Sequence, residues 1–252
     1  MRILLTNDDG IYSDGIFAAW KELKNLGQVT VVAPDSERSS MGHAITLSHP
    51  IFVKKINRYG KFFGIGTSGT PADCVKFALA EVCDQKPDLI VSGINLGPNE
   101  GCSVIYSGTV AGAREGAING IPSLAASLAT FTNPDFTVAA KFIARIARRI
   151  PKLQIPFQTF LNVNIPNVSA QHIKGVRLTW QGMTPIHGDF IKHLDLNHKA
   201  CYQMTGRVPK PPKKLGNDIY ALSRNYITIT PIQCNTTNDT FLKSKSLQNV
   251  KF

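Results

Sequence analysis

Two adjacent carboxylates, Asp8 and Asp9, stand in the segment Asn7-Asp8-Asp9-Gly10, directly after the apolar run Arg2–Thr6. Side by side they repel each other unless a cation neutralises them, and oxygen-only donors suit a hard ion such as Mg²⁺ or Mn²⁺. The same four residues also suit a turn and helix cap, with Gly10 supplying the bend. Two more polar loops follow other strand-like runs. One is Asp35-Ser36-Glu37-Arg38-Ser39-Ser40, and the other holds Asn95, Gly97 and Asn99. Oxygens of Ser39 and Asn95 could complete a hard-ion shell whose remaining places go to water and a phosphate oxygen, although each alone also serves to hold its own loop. A fourth segment, Tyr106-Ser107-Gly108-Thr109, opens a helical pattern, where free N–H groups and the helix dipole favour an anion such as phosphate.

These loops must be brought together by the elements that precede them. The first half alternates short β-branched runs with helical patterns, the mark of an α/β, Rossmann-like fold with a mainly parallel sheet and helices on both faces. Strands are expected at Arg2–Thr6, Gln28–Ala33, Phe62–Ile65, Leu89–Ser92 and Pro122–Ser127, with an extended stretch at Ile45–Ile56 that breaks at Pro50. Helices are expected where Ile16, Trp20, Leu23 and Leu26 recur before Gly27, from Thr70-Pro71-Ala72-Asp73 to about Val82, over Thr109–Ile118, and over Phe136–Ile150. In the last of these Ala139, Ile143, Ile146 and Ile150 should face inward. In such a sheet ligands collect beyond the carboxyl ends of the strands, where Asp8 and Asp9 lie.

The chain divides in texture near residue 150. Residues 1–150 form the core that carries the metal and phosphate loops; residues 151–252 continue that core through strands at Thr159–Ile165, Gly175–Thr179 and Tyr226–Ile232. Between these runs Met183–Leu215 mixes Pro, Gly, His and Lys without helical period. An unstructured stretch of that length is rare inside a compact domain, so the expectation is a C-terminal β-rich arm, packed or swapped onto a partner subunit.

With 252 residues the chain makes one large domain, or one domain with an appendage, at about 150 residues per domain. Hydrophobic residues make up 43% and charged residues 18%, too apolar for a disordered chain. No apolar run approaches the roughly 20 residues that span a bilayer, and the opening segment is too short in apolar residues for a signal peptide. A cytoplasmic protein with no membrane partner is expected. Five cysteines, without a C-x-x-C pair, indicate reduced thiols rather than a disulfide framework or thiolate metal site. The net charge of +11 is lopsided. Residues 1–139 hold 11 Lys and Arg against 13 Asp and Glu, whereas residues 140–252 hold 17 against 4. Such a basic half could attract polyanions.

Some motifs mislead or are missing. Gly64-x-Gly66-x-x-Gly69 matches a dinucleotide fingerprint, but the next strand ends at Ser92-Gly93 without the acidic residue that the fingerprint requires. No P-loop, H-E-x-x-H or G-x-S-x-G is present. Six histidines are scattered; His43, beside the Ser39 loop, could donate a proton, hold phosphate or simply bond locally.

The blocks MRILLTNDDGI (1–11), VVAPDSERSSMGHAIT (31–46), GTPADCV (69–75), SGINLGPN (92–99) and YSGTVAGAREG (106–116) resemble, in order, those of the SurE (survival protein E) family of metal-dependent nucleotidases. Further similarity at Gly216–Ile232 extends the match to most of the chain. The family often has Arg-Ser-Gly where this chain has Arg38-Ser39-Ser40, a difference that bears on the turn and leaves the serine in place. The resemblance implies one divalent cation per subunit, Mg²⁺ or Mn²⁺, held by Asp8, Asp9, Ser39 and Asn95. It implies hydrolysis of nucleoside monophosphates to nucleoside and phosphate, with activity on short-chain polyphosphate alongside. It also implies homodimers or homotetramers that exchange C-terminal elements. No stable nucleic-acid partner is expected.

In that chemistry a cation polarises the phosphoryl group and acidifies an attacking water, which Asp8 or Asp9 orients. Ser107, Gly108 and Thr109 bind the phosphate oxygens through backbone N–H groups and hydroxyls, and Asn99 steadies the same loop. Asp8 as a covalent nucleophile is the rival route. A different class of function, a nucleic-acid or polyphosphate binding module on the basic half, would show salt-sensitive binding without turnover.

Overall fold

The structure is a computed structural model that describes residues 1–184, 187–207, 210 and 212–243. Strand β1 (Arg2–Thr6) is its axis. Ile3 and Leu5 join one buried apolar cluster and Leu4 a second, as the two-residue period of a strand covered on both faces demands. Strands β2 (Gln28–Pro34) and β5 (Leu89–Leu96) flank β1, both parallel to it. Beyond β2 lie β4 (Lys61–Thr67), parallel, and β3 (Val53–Arg58), an antiparallel edge. Beyond β5 lie β6 (Ser123–Ala129) and β7 (Thr159–Pro166), both parallel. The sheet continues through β11 (Ile227–Gln233), antiparallel to β7, to β8 (Val176–Leu178). The order is therefore β3-β4-β2-β1-β5-β6-β7-β11-β8.

Helices α1 (Asp14–Leu23) and α5 (Thr137–Ala147) cover one face, burying Ile16, Ala19 and Leu23 alongside Ala139, Ile143 and Ile146, with Ile150 just beyond. The other face is covered by α2 (Pro71–Phe77) and α4 (Gly108–Ile118). Helix α2 starts as the residue types require: the Thr70 hydroxyl accepts from Asp73 N, and the Asp73 carboxylate accepts from Thr70 N. It runs on as a π-helical turn, Ala78–Val82. Helix α4 is built of small residues because it lies directly on the sheet. A methyl group at Gly116 would stand 2.3 Å from Ser123 Oγ.

Several expectations need correction. Strand β5 does not stop at Ser92; it runs to Leu96 with a register shift between Ser92 and Asn95, so Asn95 sits on a strand end rather than in a free loop. Residues 45–52 form no strand, because Thr46 turns away to bond Asp73 through both its N–H and its hydroxyl. Helix α1 ends at Leu23, short of Gly27. Among the described residues three short α-helices lie outside those expectations: α3 (Ser103–Tyr106), α6 (Asp218–Ser223), capped by Asn217, whose side chain accepts from Tyr220 N, and α7 (Asp239–Leu242) near the end.

The expected arm at 183–215 is an antiparallel hairpin of β9 (His187–Leu194) and β10 (Ala200–Arg207), hydrogen-bonded to each other and not to the large sheet. Residues 185–186, 208–209 and 211 of that arm, and the C-terminal tail 244–252, lie outside the described residues. Among the described residues no helix is long and apolar enough to cross a membrane.

Candidate metal and phosphate site

Strand β1 stands where the strand order reverses, with β2 on one side and β5 on the other. At such a point the loops leaving neighbouring strands part and open a crevice at their carboxyl ends. Asp8 and Asp9 leave β1, the Ser39 loop leaves β2, and Asn95 ends β5. Asp8, Ser39 and Asn95 line one cleft of about 530 Å³ together with Leu96. Asp9 is tied to its rim, its Oδ2 accepting from Leu96 N at 2.9 Å. The four proposed metal ligands therefore come together around one opening.

Each of these side chains is held by a bond that leaves an oxygen over. Asn95 donates through Nδ2 to the Gly97 carbonyl at 2.7 Å, so its Oδ1 is the atom left to coordinate. Ser39 donates to Glu37 Oε1 at 2.7 Å, which leaves its lone pairs. The Ser39 loop is fastened to β1 by Arg38 N donating to the Asp8 carbonyl at 2.7 Å, and Arg38 Nη2 donates to the Ser68 carbonyl at 2.7 Å. Ser40 adopts φ +60°, a conformation that favours glycine. The turn thus survives the Arg38-Ser39-Ser40 sequence, with Ser40 carrying the strain.

The electrostatics suit a bound cation. Asp8 is 3% exposed. Burial pushes its carboxyl up, the Thr109 hydroxyl and N–H pull it back, and Glu37 pushes it up again. Burial, then Asp8, pushes Asp9 up to about 7. Among the described residues, the ion pairs involve neither of these carboxylates. Buried carboxylates with no cationic side chain are costly unless an ion neutralises them. Among the described residues no three His, Cys, Asp or Glu side chains form a metal-holding group by themselves. A hard ion held here would draw on the serine and amide oxygens as well, and the donor set fits one.

The anion end of the site is arranged differently from expectation. Helix α4 begins beside β1, and the nearest anion to its N-terminus is Asp8 itself: the Thr109 hydroxyl, fully buried, donates to Asp8 Oδ1. Gly108 is packed against Asp8 as well, since a methyl group there would stand 2.8 Å from Asp8 Cβ. Of the four phosphate candidates, Ser107 and Asn99 line the cleft, while Gly108 and Thr109 sit behind Asp8. The Ser107 hydroxyl caps α4 by accepting from Val110 N at 3.0 Å, and keeps its own proton to donate.

Asn99 is gripped on every side. Its N–H donates to Asn164 Oδ1 at 2.7 Å and its Nδ2 to Ser127 Oγ at 2.8 Å. Its carbonyl accepts from Asn162 and Asn164 at 2.7 and 3.0 Å. Sequence reasoning missed Asn162 and Asn164. The signal was there in Asn-Val-Asn within an apolar strand, because buried amides at a two-residue period must have partners. It also missed Phe131, Gly188, Met204 and Thr205, which line the cleft from β6's exit and from the hairpin. Nothing local marks those four.

His43 is a structural group. Its Nε2 lies 2.9 Å from Glu115 Oε2, and Lys76 reaches Glu115 Oε1 at 2.9 Å. Burial pushes the Glu115 carboxyl up, but His43, Lys76 and Asn119 outweigh it and hold it at about 2.

Known proteins with this arrangement supply the family. The family model described as Survival protein SurE matches residues 3–187. The 5'-nucleotidase SurE of Chlorobium limicola is 46% identical over 250 residues, covering 99% of this chain and 97% of that protein. The 5'-nucleotidase SurE of Syntrophus aciditrophicus is 46% identical over 92% of this chain and 88% of its own length. The crystal structure of SurE protein from Aquifex aeolicus superposes with a TM-score of 0.85 at 38% identity, covering 99% of this chain and all of that one. On a matched domain of this length and on identity across nearly its whole extent, the chain belongs to the SurE family.

Proposed function

We propose that the chain is a metal-dependent nucleotidase that hydrolyses nucleoside monophosphates to nucleoside and phosphate, with one Mg²⁺ or Mn²⁺ per subunit held by Asp8, Asp9, Ser39 and Asn95. The observation that carries this reading is the convergence of three strand ends on one cleft, with two carboxylates that enter no ion pair among the described residues. Relatives named 5'-nucleotidase support it.

Bound there, a divalent cation supplies Lewis-acid polarisation of the phosphoryl group and a more acidic water. The chain's own residues do the rest. Asp8, braced by Thr109, and Asp9, braced by Leu96 N, hold their carboxylates still and orient the attacking water in line with the leaving ribose oxygen. Ser107 donates its hydroxyl to a phosphoryl oxygen. Asn99, fixed by Ser127 and Asn164, keeps the β5 exit rigid beneath the phosphate.

The test removes the metal. Chelated protein should release no phosphate from AMP, and added Mn²⁺ or Mg²⁺ should restore release; a failure to restore it overturns the reading. Acid quench during turnover separates the two routes, since a phosphorylated Asp8 would replace direct attack by water with an aspartyl-phosphate. Residues 1–150 carry the metal and phosphate residues; residues 151–252 brace Asn99 through Asn164 and add the hairpin, which we assign to assembly as a dimer or tetramer. Its exposed Phe190, Ile191 and Tyr202 supply the apolar contact, and light scattering on the intact chain would test it.

A further inference from the structure

We infer that Phe131 is the platform on which the nucleobase stacks, with Met204 of the β9–β10 hairpin closing over the base from the other side. The inference rests on the nucleotidase reading and adds to it the part of the substrate that the metal and phosphate residues leave unbound. The cleft has two characters. Asp8, Asn95 and Ser107 are polar groups in its lining, whereas Leu96, Phe131 and Met204 are apolar side chains on the same opening. Phe131 is 75% and Met204 71% exposed, and a large apolar face left in water beside a polar cleft marks a binding surface.

The Phe131 ring is seated rather than loose. It packs so closely on Gly97 that a methyl group there would stand 2.4 Å from its Cε1, and Gly97 sits at φ +112°, where glycine is favoured. Gly97 is also the residue whose carbonyl fixes Asn95. One short turn therefore ties the metal-facing amide to the aromatic ring, and a substrate phosphate at Asn95 carries its base toward Phe131. The cleft's volume of about 530 Å³ falls within the range of small-molecule sites and is large enough for a whole nucleotide. Stacking uses a π face that every base possesses, so the ring would accept purines and pyrimidines alike.

The test compares AMP, UMP and ribose 5-phosphate as substrates of the intact protein with Mn²⁺, in the wild type and in Phe131→Ala and Phe131→Trp. The base-free sugar phosphate cannot stack. For Phe131→Ala the ratio of kcat/KM for AMP to that for ribose 5-phosphate should fall by about 5- to 50-fold, mainly through KM, with Phe131→Trp restoring it. A second readout needs no turnover: calorimetric binding of adenosine to the metal-free protein should weaken by a similar factor in Phe131→Ala. An unchanged ratio together with unchanged adenosine affinity overturns the platform while leaving the nucleotidase reading intact. A wild-type protein that cleaves none of the three substrates overturns both.

Discussion

Two buried carboxylate sites at opposite ends of helix α4 are treated in opposite ways. At its start, Asp8 lines the cleft and Asp9 stands on its rim; among the described residues neither enters an ion pair, and burial raises both. Near its end, Glu115, 2% exposed, is met by His43, Lys76 and Asn119 and held at about 2. The chemistry of the side chains is the same, and only the company differs. A carboxylate whose charge is answered within the fold works for the fold, here by pinning α2 and the loop after Ser39 onto α4. A pair whose charge is left unanswered works for something that comes from outside.

The largest break in that contrast is Asp8→Asn. Loss of the charged ligand should cut phosphate release from AMP by roughly 10²- to 10³-fold. It should also abolish the Mn²⁺-induced rise in Tm and leave the metal-free protein at least as stable as the wild type, because a buried, unneutralised charge is gone. A lower metal-free Tm in this variant would mean that Asp8 is answered within the fold after all.

Glu115→Gln should do the reverse, lowering stability by about 2–3 kcal/mol while Mn²⁺ still binds. The pH dependence has a definite sign. Glu115 titrates at about 2 in the folded chain and near 4.5 unfolded, so its contribution is complete above pH 4.5 and is lost as pH falls toward 2. Denaturant titrations from pH 6 to pH 2.5 should therefore show the gap between wild type and Glu115→Gln closing. A gap that stays constant would deny the ion pairs their role.

Thr109→Val removes the hydroxyl that braces Asp8. A hydrogen bond to a charged group is worth about 1.5–3 kcal/mol, so kcat/KM should drop by about 10- to 100-fold with the fold intact by circular dichroism. Activity within twofold of wild type would show that Asp8 needs no brace. The smallest effect concerns the loop joining the two sites, which carries Ser39 to one and His43 to the other. Ser40→Gly relieves a left-handed backbone at φ +60° and should raise stability by about 0.5–1 kcal/mol with activity nearly unchanged. A destabilised variant would place the strain elsewhere.

Much of this was legible in the chain. Strand β1, the capped start of α2 at Thr70 and the inward stripe of α5 follow from apolar period and cap chemistry, which are local. The place where Asp8, Asp9, Ser39 and Asn95 gather was readable because polar residues placed straight after apolar strands have one place to go in a parallel sheet. The partners were not readable. Nothing near Thr109 in sequence says that its hydroxyl turns to Asp8, 101 residues away. Nor does Glu115 announce His43, since 72 residues separate them.

The sequence by itself determined the kinds of atoms available to the cleft and the strand ends that carry them, because side-chain chemistry and hydrophobic period are properties of short segments. Tertiary structure alone decided that Asp8 would occupy the start of α4, that Gly97 would seat Phe131, and that the hairpin would bring Met204 to the same opening. Those outcomes depend on which distant surfaces pack together, and packing is set by the whole core at once rather than by any stretch of the chain.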